Sequence, residues 1–213
     1  MKMVKEKIVL IGGGDHCGNC IDTIDQEGKY EIAGIIDKPE KLHQKILGYE
    51  IFATDNDIPF LTKEYRNFFI SIGQIKNPKP RENAFENILK YNVTIPVIIS
   101  PLAYVTKNAN IGEGTIIMPF AVIDVNVTVG RNCIIQYYTM LSHGAVMEDH
   151  CHVSVNCVLG KCNIGKGTFI GVNSWINNGV TIPPYTIIGS ASNVLKTIEE
   201  PGIYAGNPSR RIK

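Results

Sequence analysis

Three of the five histidines in this chain, His143, His150 and His152, crowd into the twelve residues from Leu141 to His152. Imidazole changes charge near neutral pH and also ligates metals, so such a cluster can move protons or hold an ion. With Cys151, Cys157 and Cys162 nearby, zinc is the metal to consider. The spacing matches no standard finger, and Cys151 and Cys157 fall on inward-facing slots of the repeat described below, so no metal is expected.

A second set of residues suits phosphate chemistry. Lys7 to Ile11 reads as a strand that runs into Gly12-Gly13-Gly14-Asp15-His16-Cys17-Gly18, and a helix is expected from Asn19 to about Gln26. A glycine-rich turn at a helix N-terminus offers backbone N–H groups and a favourable dipole to a phosphate or diphosphate. Asp37, 23 residues after Gly14, ends the next strand, Tyr30 to Ile36, near where an acid commonly meets a ribose hydroxyl or a base edge. Cys17 stands where a strict dinucleotide fingerprint requires its third glycine, so a nucleotide is favoured over a full NAD. Cys17 and Cys20 form a C-x-x-C, for which packing of the first helix is the expected role. A third strand, Phe68 to Ile72, ends at Gly73, a helix follows over Arg81 to Tyr91, and Ile95 to Ile99 closes the unit. This alternation predicts a small parallel, Rossmann-like α/β nucleotide-binding domain over residues 1–100, with its ligand beyond the carboxyl ends of the strands.

The elements that position the histidines obey a different rule. From Val105 an aliphatic residue returns every sixth position through Val153, and the series resumes from Ile164 to Val194, fifteen positions in all. Four residues after each stands something small, among them Ala121, Cys133, Thr139, Cys151 and Ser174. Six fits neither a helix nor an alternating strand, but it is the period of a parallel β-helix built of three hexads per coil. The aliphatic fills the prism and the small residue packs inward beside a corner. Residues 101–213 are therefore expected to form a β-helix of about five coils. Gly112, Gly130, Gly165, Gly171 and Gly189 are expected at corners that need unusual backbone angles. One corner, around Leu159 to Asn163, is a residue short, and an irregular corner can present backbone groups to a ligand. His143 and His152, half a coil apart, project from different faces, and only packing against another copy brings such residues together.

Composition bounds the partners. Of the 21 basic and 20 acidic residues, 8 lie between Val105 and Val194, which places the domain boundary near Pro101. A net charge of +1 leaves no footprint for nucleic acid or an anionic membrane. Nothing reads as a signal peptide or membrane span, so a cytoplasmic protein with reduced, buried thiols is expected.

Taken together, the Gly12 to Gly18 loop with His16, the strand ends Gly34-Ile-Ile-Asp37 and Ser71-Ile-Gly73, the His143/His152 spacing and the tail Gly202-Ile-Tyr-Ala-Gly-Asn-Pro208 resemble the bacterial sugar-nucleotide acyltransferases. That family includes the N-acetyltransferases of UDP-linked 4-amino sugars in bacillosamine synthesis, the GDP-perosamine N-acetyltransferases and the sialic acid O-acetyltransferase relatives. The resemblance implies a left-handed helix, a homotrimer, acetyl-CoA as co-substrate and a nucleotide-linked amino sugar, of the 4-amino-4,6-dideoxy type, as acceptor. By the same resemblance His143 is the general base, His152, Gly160, Val172 and Ser190 meet acetyl-CoA, and Gly14, Asp15, His16, Asp37, Lys38 and Gly73 hold the nucleotide. A sugar O-acetyltransferase and a non-catalytic nucleotide-sugar sensor are the alternatives. The chain departs from the family twice: Gly144 stands where many relatives carry Glu or Asp after the base, and Gln136 where an Asn is common. Either Glu148, Asp149 or a neighbouring subunit supplies the missing carboxylate, or the base is less tuned.

Overall fold

A computed structural model describes residues 5–213 as two compact units, one formed by the chain up to Gly73 with Lys79–Ile98, the other by Gln74–Pro78 with Ile99–Lys213. The first is a five-stranded sheet in the order β3-β4-β2-β1-β5: β1 is Glu6–Ile11, β2 Tyr30–Ile36, β3 Lys45–Ile46, β4 Tyr49–Ala53 and β5 Asn67–Ile70. All pairs are parallel except β3 with β4. Its helices are α1 Asp15–Glu27, α2 Ile58–Glu64 and α3 Lys79–Ile88. Val9, Ile11, Ile36, Phe68 and Ile70 from the strands bury against Phe85 and Ile88 of α3. The chain leaves β1 toward β2 and returns on β1's other side as β5, so the topological switch point lies between β1 and β5, the crevice where α/β sheets take ligands.

Several expected bounds shift here: β5 ends at Ile70 rather than Ile72, and α3 spans Lys79–Ile88 rather than Arg81 to Tyr91. Helix α1 starts four residues early, at Asp15, because Gly14 is extended (φ −94°, ψ −172°) and caps it directly. The β3–β4 hairpin and α2 were not read from the sequence, although a capping box between Thr54 and Asp57 marks the turn just before α2. In place of a strand over Ile95 to Ile99 there is only the pair Ile98–Ile99, at the passage between units.

The second unit is a left-handed parallel β-helix of three sheets, made of two-residue rungs repeating every 18 residues. The first face carries the rungs that begin at Tyr104, Val122, Met140, Val158, Trp175 and Asn193. The second carries Asn110, Thr128, Val146, Asn163 and Thr181, and the third includes Ile116, Ile134, His152, Phe169 and Ile187. Second residues of the rungs, such as Ile123, Leu141 and Ile176, fill an interior with no solvent exposure. Leu159 also belongs to this interior, so the inward series has one more member than the fifteen counted from the sequence.

The small slots have a polar reason as well as a steric one. Thr115 donates to Gly130 O at 2.8 Å, Thr139 to Ser154 O at 2.6 Å and Ser174 to Gly189 O at 3.0 Å, while the Cys151 and Cys157 thiols point at Gly165 O and Gly171 O. Short donors thus stitch each coil to the next corner and leave fewer carbonyls unpaired. The corner glycines need correcting. Left-handed backbone falls elsewhere, recurring every six residues at positions such as Phe120, Asn126, Tyr138 and Gly144. Gly112 and Gly165 are glycine because a Cβ there would lie 2.5 Å from the backbone of the stacked corner above.

Candidate active site

His143 lies in the corner between a first-face rung, Met140–Leu141, and a second-face rung, Val146–Met147. Its side chain is 68% exposed. It borders a cleft of about 490 Å³ lined by His143, Gly144, Lys161, Cys162, Asn163 and Asn178, with Gly179. The shortened corner explains the cleft. Gly144 N donates to Val125 O and Gly179 N to Lys161 O, so Lys161 is the counterpart of His143 one coil on. Left-handed residues stand at Asn156 and next at Gly167, so the residue lost between them is the counterpart of Gly144. Glycine below, a gap, and Gly179 above, beside which a Cβ would meet nothing within 4 Å, strip three successive coils of side chains at this corner.

The carboxylate beside His143 is Asp124, from the preceding coil. Its Oδ2 accepts the His143 N–H at 3.1 Å and lies 3.8 Å from His143 Nδ1, while Oδ1 accepts the Val125 N–H at 2.7 Å. Glu148 and Asp149 are engaged elsewhere, contrary to expectation. Glu148 accepts the Lys166 N–H at 2.7 Å, and Asp149 takes Nε and Nη2 of Arg131 at 3.0 and 2.9 Å. Burial works against the charged form of Asp149, yet the Arg131 N–H and guanidinium outweigh it and hold its carboxyl below the usual range. Asp124 precedes His143 by 19 residues; one coil plus one is the only sequence signal for it.

His152 is not brought to this cleft. It is 7% exposed on a third-face rung, where its Nδ1 bonds the Gln74 carbonyl and its ring meets Phe169 edge-on at 5.2 Å. Gln74 Nε2 in turn donates to His150 O at 2.6 Å, so segment 74–78 is tied to the prism. His150 itself is buried against Asn132, with 2.9 Å between Nδ1 and Nδ2. Gly160 is buried too, and a Cβ there would collide with the Asn178 side chain. Val172 and Ser190 are exposed on the corner between third and first faces, stacked one coil apart. His143 and the pair Val172/Ser190 therefore flank the two opposite edges of the first face. Gln136 is buried at the start of the equivalent corner two coils below Val172. Among the described residues no group of three or more His, Cys, Asp or Glu side chains is arranged to hold a metal.

In the other unit, a crevice of about 400 Å³ opens at the switch point. Ile11, Gly12, Asp37, Lys38 and Ile72 line it from the strand ends, with Asp55, Asn83 and Asn87 opposite. Asp37 is the clamp of the glycine turn: Oδ2 accepts the Gly13 N–H at 2.6 Å and Lys41 Nζ at 3.0 Å, and Oδ1 accepts the Lys38 N–H at 2.7 Å. Partial burial opposes its charge, but the Lys38 N–H, the Lys41 ammonium and the Gly13 N–H together hold its carboxyl below the usual range. Gly14 and Asp15 are exposed at the start of α1, and His16 packs beside Gly73, where a Cβ would lie 3.0 Å from the histidine's own. Asn83 and Asn87, one helical turn apart on α3, were missed in the sequence because an i, i+4 pair of amides marks no motif. Desolvation pushes the Cys17 thiol up to about 11, and Cys20 is buried beside it, which fits the packing role of the C-x-x-C.

Comparison with known proteins agrees with both halves. Residues 7–88 match the PglD N-terminal domain and residues 108–143 the bacterial transferase hexapeptide repeat. The acetyltransferase domain of PglB from Neisseria gonorrhoeae is 22% identical, with a TM-score of 0.90 over 98% of this chain and 100% of that one. GDP-perosamine N-acetyltransferase from Caulobacter crescentus, solved with CoA and GDP-perosamine, is 23% identical, with a TM-score of 0.89 over 99% of each chain. WeeI from Acinetobacter baumannii is 20% identical, with a TM-score of 0.73 over 98% of this chain and 100% of that one. At these identities the likeness is one of fold over the full length. The chain thus pairs a segment similar to the PglD N-terminal domain with one similar to the bacterial transferase hexapeptide repeat.

Proposed function

We propose that this chain transfers the acetyl group of acetyl-CoA to the amino group of a nucleotide-linked amino sugar, of the 4-amino-4,6-dideoxy type. The observation that carries the reading is the exposed imidazole of His143 at the mouth of a cleft that the shortened corner opens. In the reaction the amine nitrogen attacks the thioester carbonyl carbon, a C–N bond forms and His143 takes the proton released from nitrogen. Collapse of the tetrahedral intermediate breaks the C–S bond, and the sulfur leaves with that proton as free CoA. No acyl-enzyme is needed, and the thiols are unsuited to form one. All six are buried, and desolvation pushes Cys157 up to about 11 and Cys162 to about 12. The switch-point crevice of the first unit takes the nucleotide: the Gly14 turn meets phosphate, while Asp37 holds that turn in place.

The same reading takes the protein as a homotrimer with the first face toward a neighbouring copy. That face presents Tyr104, Val122, Met140, Val158 and Trp175 before Asn193, bordered by the stacked rings of Phe120 and Tyr138 at 5.0 Å, whereas the second presents Asn110, Thr128, Asn163 and Thr181 with Val146 among them. An apolar ladder on one side of a soluble prism is the mark of an interface. Facing first faces would set His143 of one copy near the Val172/Ser190 edge of the next, uniting acetyl-acceptor and CoA residues that one chain keeps apart. Val158→Glu places a charge in the middle of this ladder and is expected to dissociate the assembly, read by light scattering, with at least about a tenfold loss of turnover. Equilibrium dialysis with radiolabelled acetyl-CoA tests the function itself. Saturable binding supports the enzyme, and absence of binding leaves a nucleotide-sugar sensor.

No helix among the described residues is long and apolar enough to cross a membrane.

A further inference from the structure

We infer that Asp124 is the positioning residue for His143, fixing the imidazole with Nδ1–H toward the preceding coil and the Nε2 lone pair toward the cleft. This rests on His143 being the proton acceptor. The carboxylate is itself held by two backbone donors on successive coils, Val125 N–H on Oδ1 and His143 N–H on Oδ2. Each oxygen keeps acceptor capacity to spare. The 3.8 Å from Oδ2 to Nδ1 closes to a hydrogen bond by a small rotation of an exposed ring.

A carboxylate at this position is not demanded by the fold. Thr106, Ser142 and Gly160 occupy the same corner position on other coils, so the turn forms without an acid. The titratable groups facing His143 are Asp124 from the coil below and Lys161 from the coil above, whose side chain also runs past Gly144. Cys162, in the same cleft lining, stays neutral because burial pushes its thiol up. Lys161 opposes positive charge on the imidazole during proton transfer, and Asp124 offsets it. A neutral imidazole has two tautomers, and a carboxylate at Nδ1 selects the one whose Nε2 can accept a proton. Gly144 leaves no carboxylate on the next residue, so the coil below supplies it.

Asp124→Asn, close in shape, and Asp124→Ser, copying Ser142, test this in the full-length protein. The readouts are long-range ¹H–¹⁵N spectra of histidine-labelled protein, steady-state kinetics and thermal midpoints. In both variants His143 is expected to move from the Nδ1–H to the Nε2–H tautomer. The kcat should fall on the order of 10- to 100-fold, with KM for acetyl-CoA unchanged. An unchanged tautomer in either folded variant overturns the proposal. So does a kcat that falls only in step with lost folded protein, which would make Asp124 a corner cap. The tautomer readout needs no substrate, so a wild-type protein inert toward every acceptor would overturn the functional reading and leave the pair decided by its spectrum.

Discussion

With His143 as the proposed proton acceptor, His143→Ala is expected to lower kcat for acetyl transfer by about 10²- to 10⁴-fold while leaving acetyl-CoA affinity near that of the wild type. The size follows from the role proposed for the residue: without a positioned acceptor the proton on the attacking nitrogen must go to water in the transition state. The selectivity follows from where it sits. His143 is exposed, and its backbone N–H, which bonds Asp124, survives the substitution. Stability should therefore shift by no more than about 0.5 kcal/mol, as for other exposed positions. Steady-state kinetics beside equilibrium dialysis make the check. Turnover within a few-fold of wild type would remove His143 from the reaction.

Arg81→Met has the largest expected effect on stability, in the first unit. Arg81 is wholly buried, and its Nη1 donates to Ile70 O at 2.5 Å and Ile72 O at 2.8 Å, closing the end of β5 just before Gly73. Methionine fills much of the volume but leaves these strand-end carbonyls without that donor. The expected cost is about 3–5 kcal/mol. Because α3 also carries Asn83 and Asn87 to the switch-point crevice, nucleotide affinity should be lost with it. Hydrogen exchange separates this from a general defect. Amides of β1 and β5 lose protection while the prism rungs keep theirs, and equal protection of β1 and β5 in variant and wild type would contradict the account.

What the sequence makes legible follows from how many residues share a constraint. The prism is readable because one inward aliphatic and one small slot recur in every hexad, so a single exception cannot hide the period. Leu159 escapes the period because the break follows it directly, although it pairs in register with Leu141 and Ile176. Gly112 and Gly165 read as corner residues, but their cause, the approach of the next coil, involves residues about 18 positions away and is invisible locally. The same holds for the site. His143 and Asp37 sit in local motifs, whereas Asp124 reaches His143 only through the pitch of the helix. The β3–β4 hairpin is two short strands around Gly48 (φ +92°), too brief for periodicity to register. Segment 74–78 joins the prism through Gln74, one residue past Gly73, and nothing in its composition announces that.

The central claim is acetyl transfer to an amine on a nucleotide-linked sugar. The most direct test is mass spectrometry of products after incubating the protein with acetyl-CoA and a panel of UDP-, GDP- and dTDP-linked 4-amino sugars together with free sialic acid. The account predicts the mass gain of one acetyl group, stable to mild base as an amide, on a nucleotide-linked amino sugar. Acetylation of sialic acid alone, or of nothing in the panel while acetyl-CoA remains intact, would contradict it.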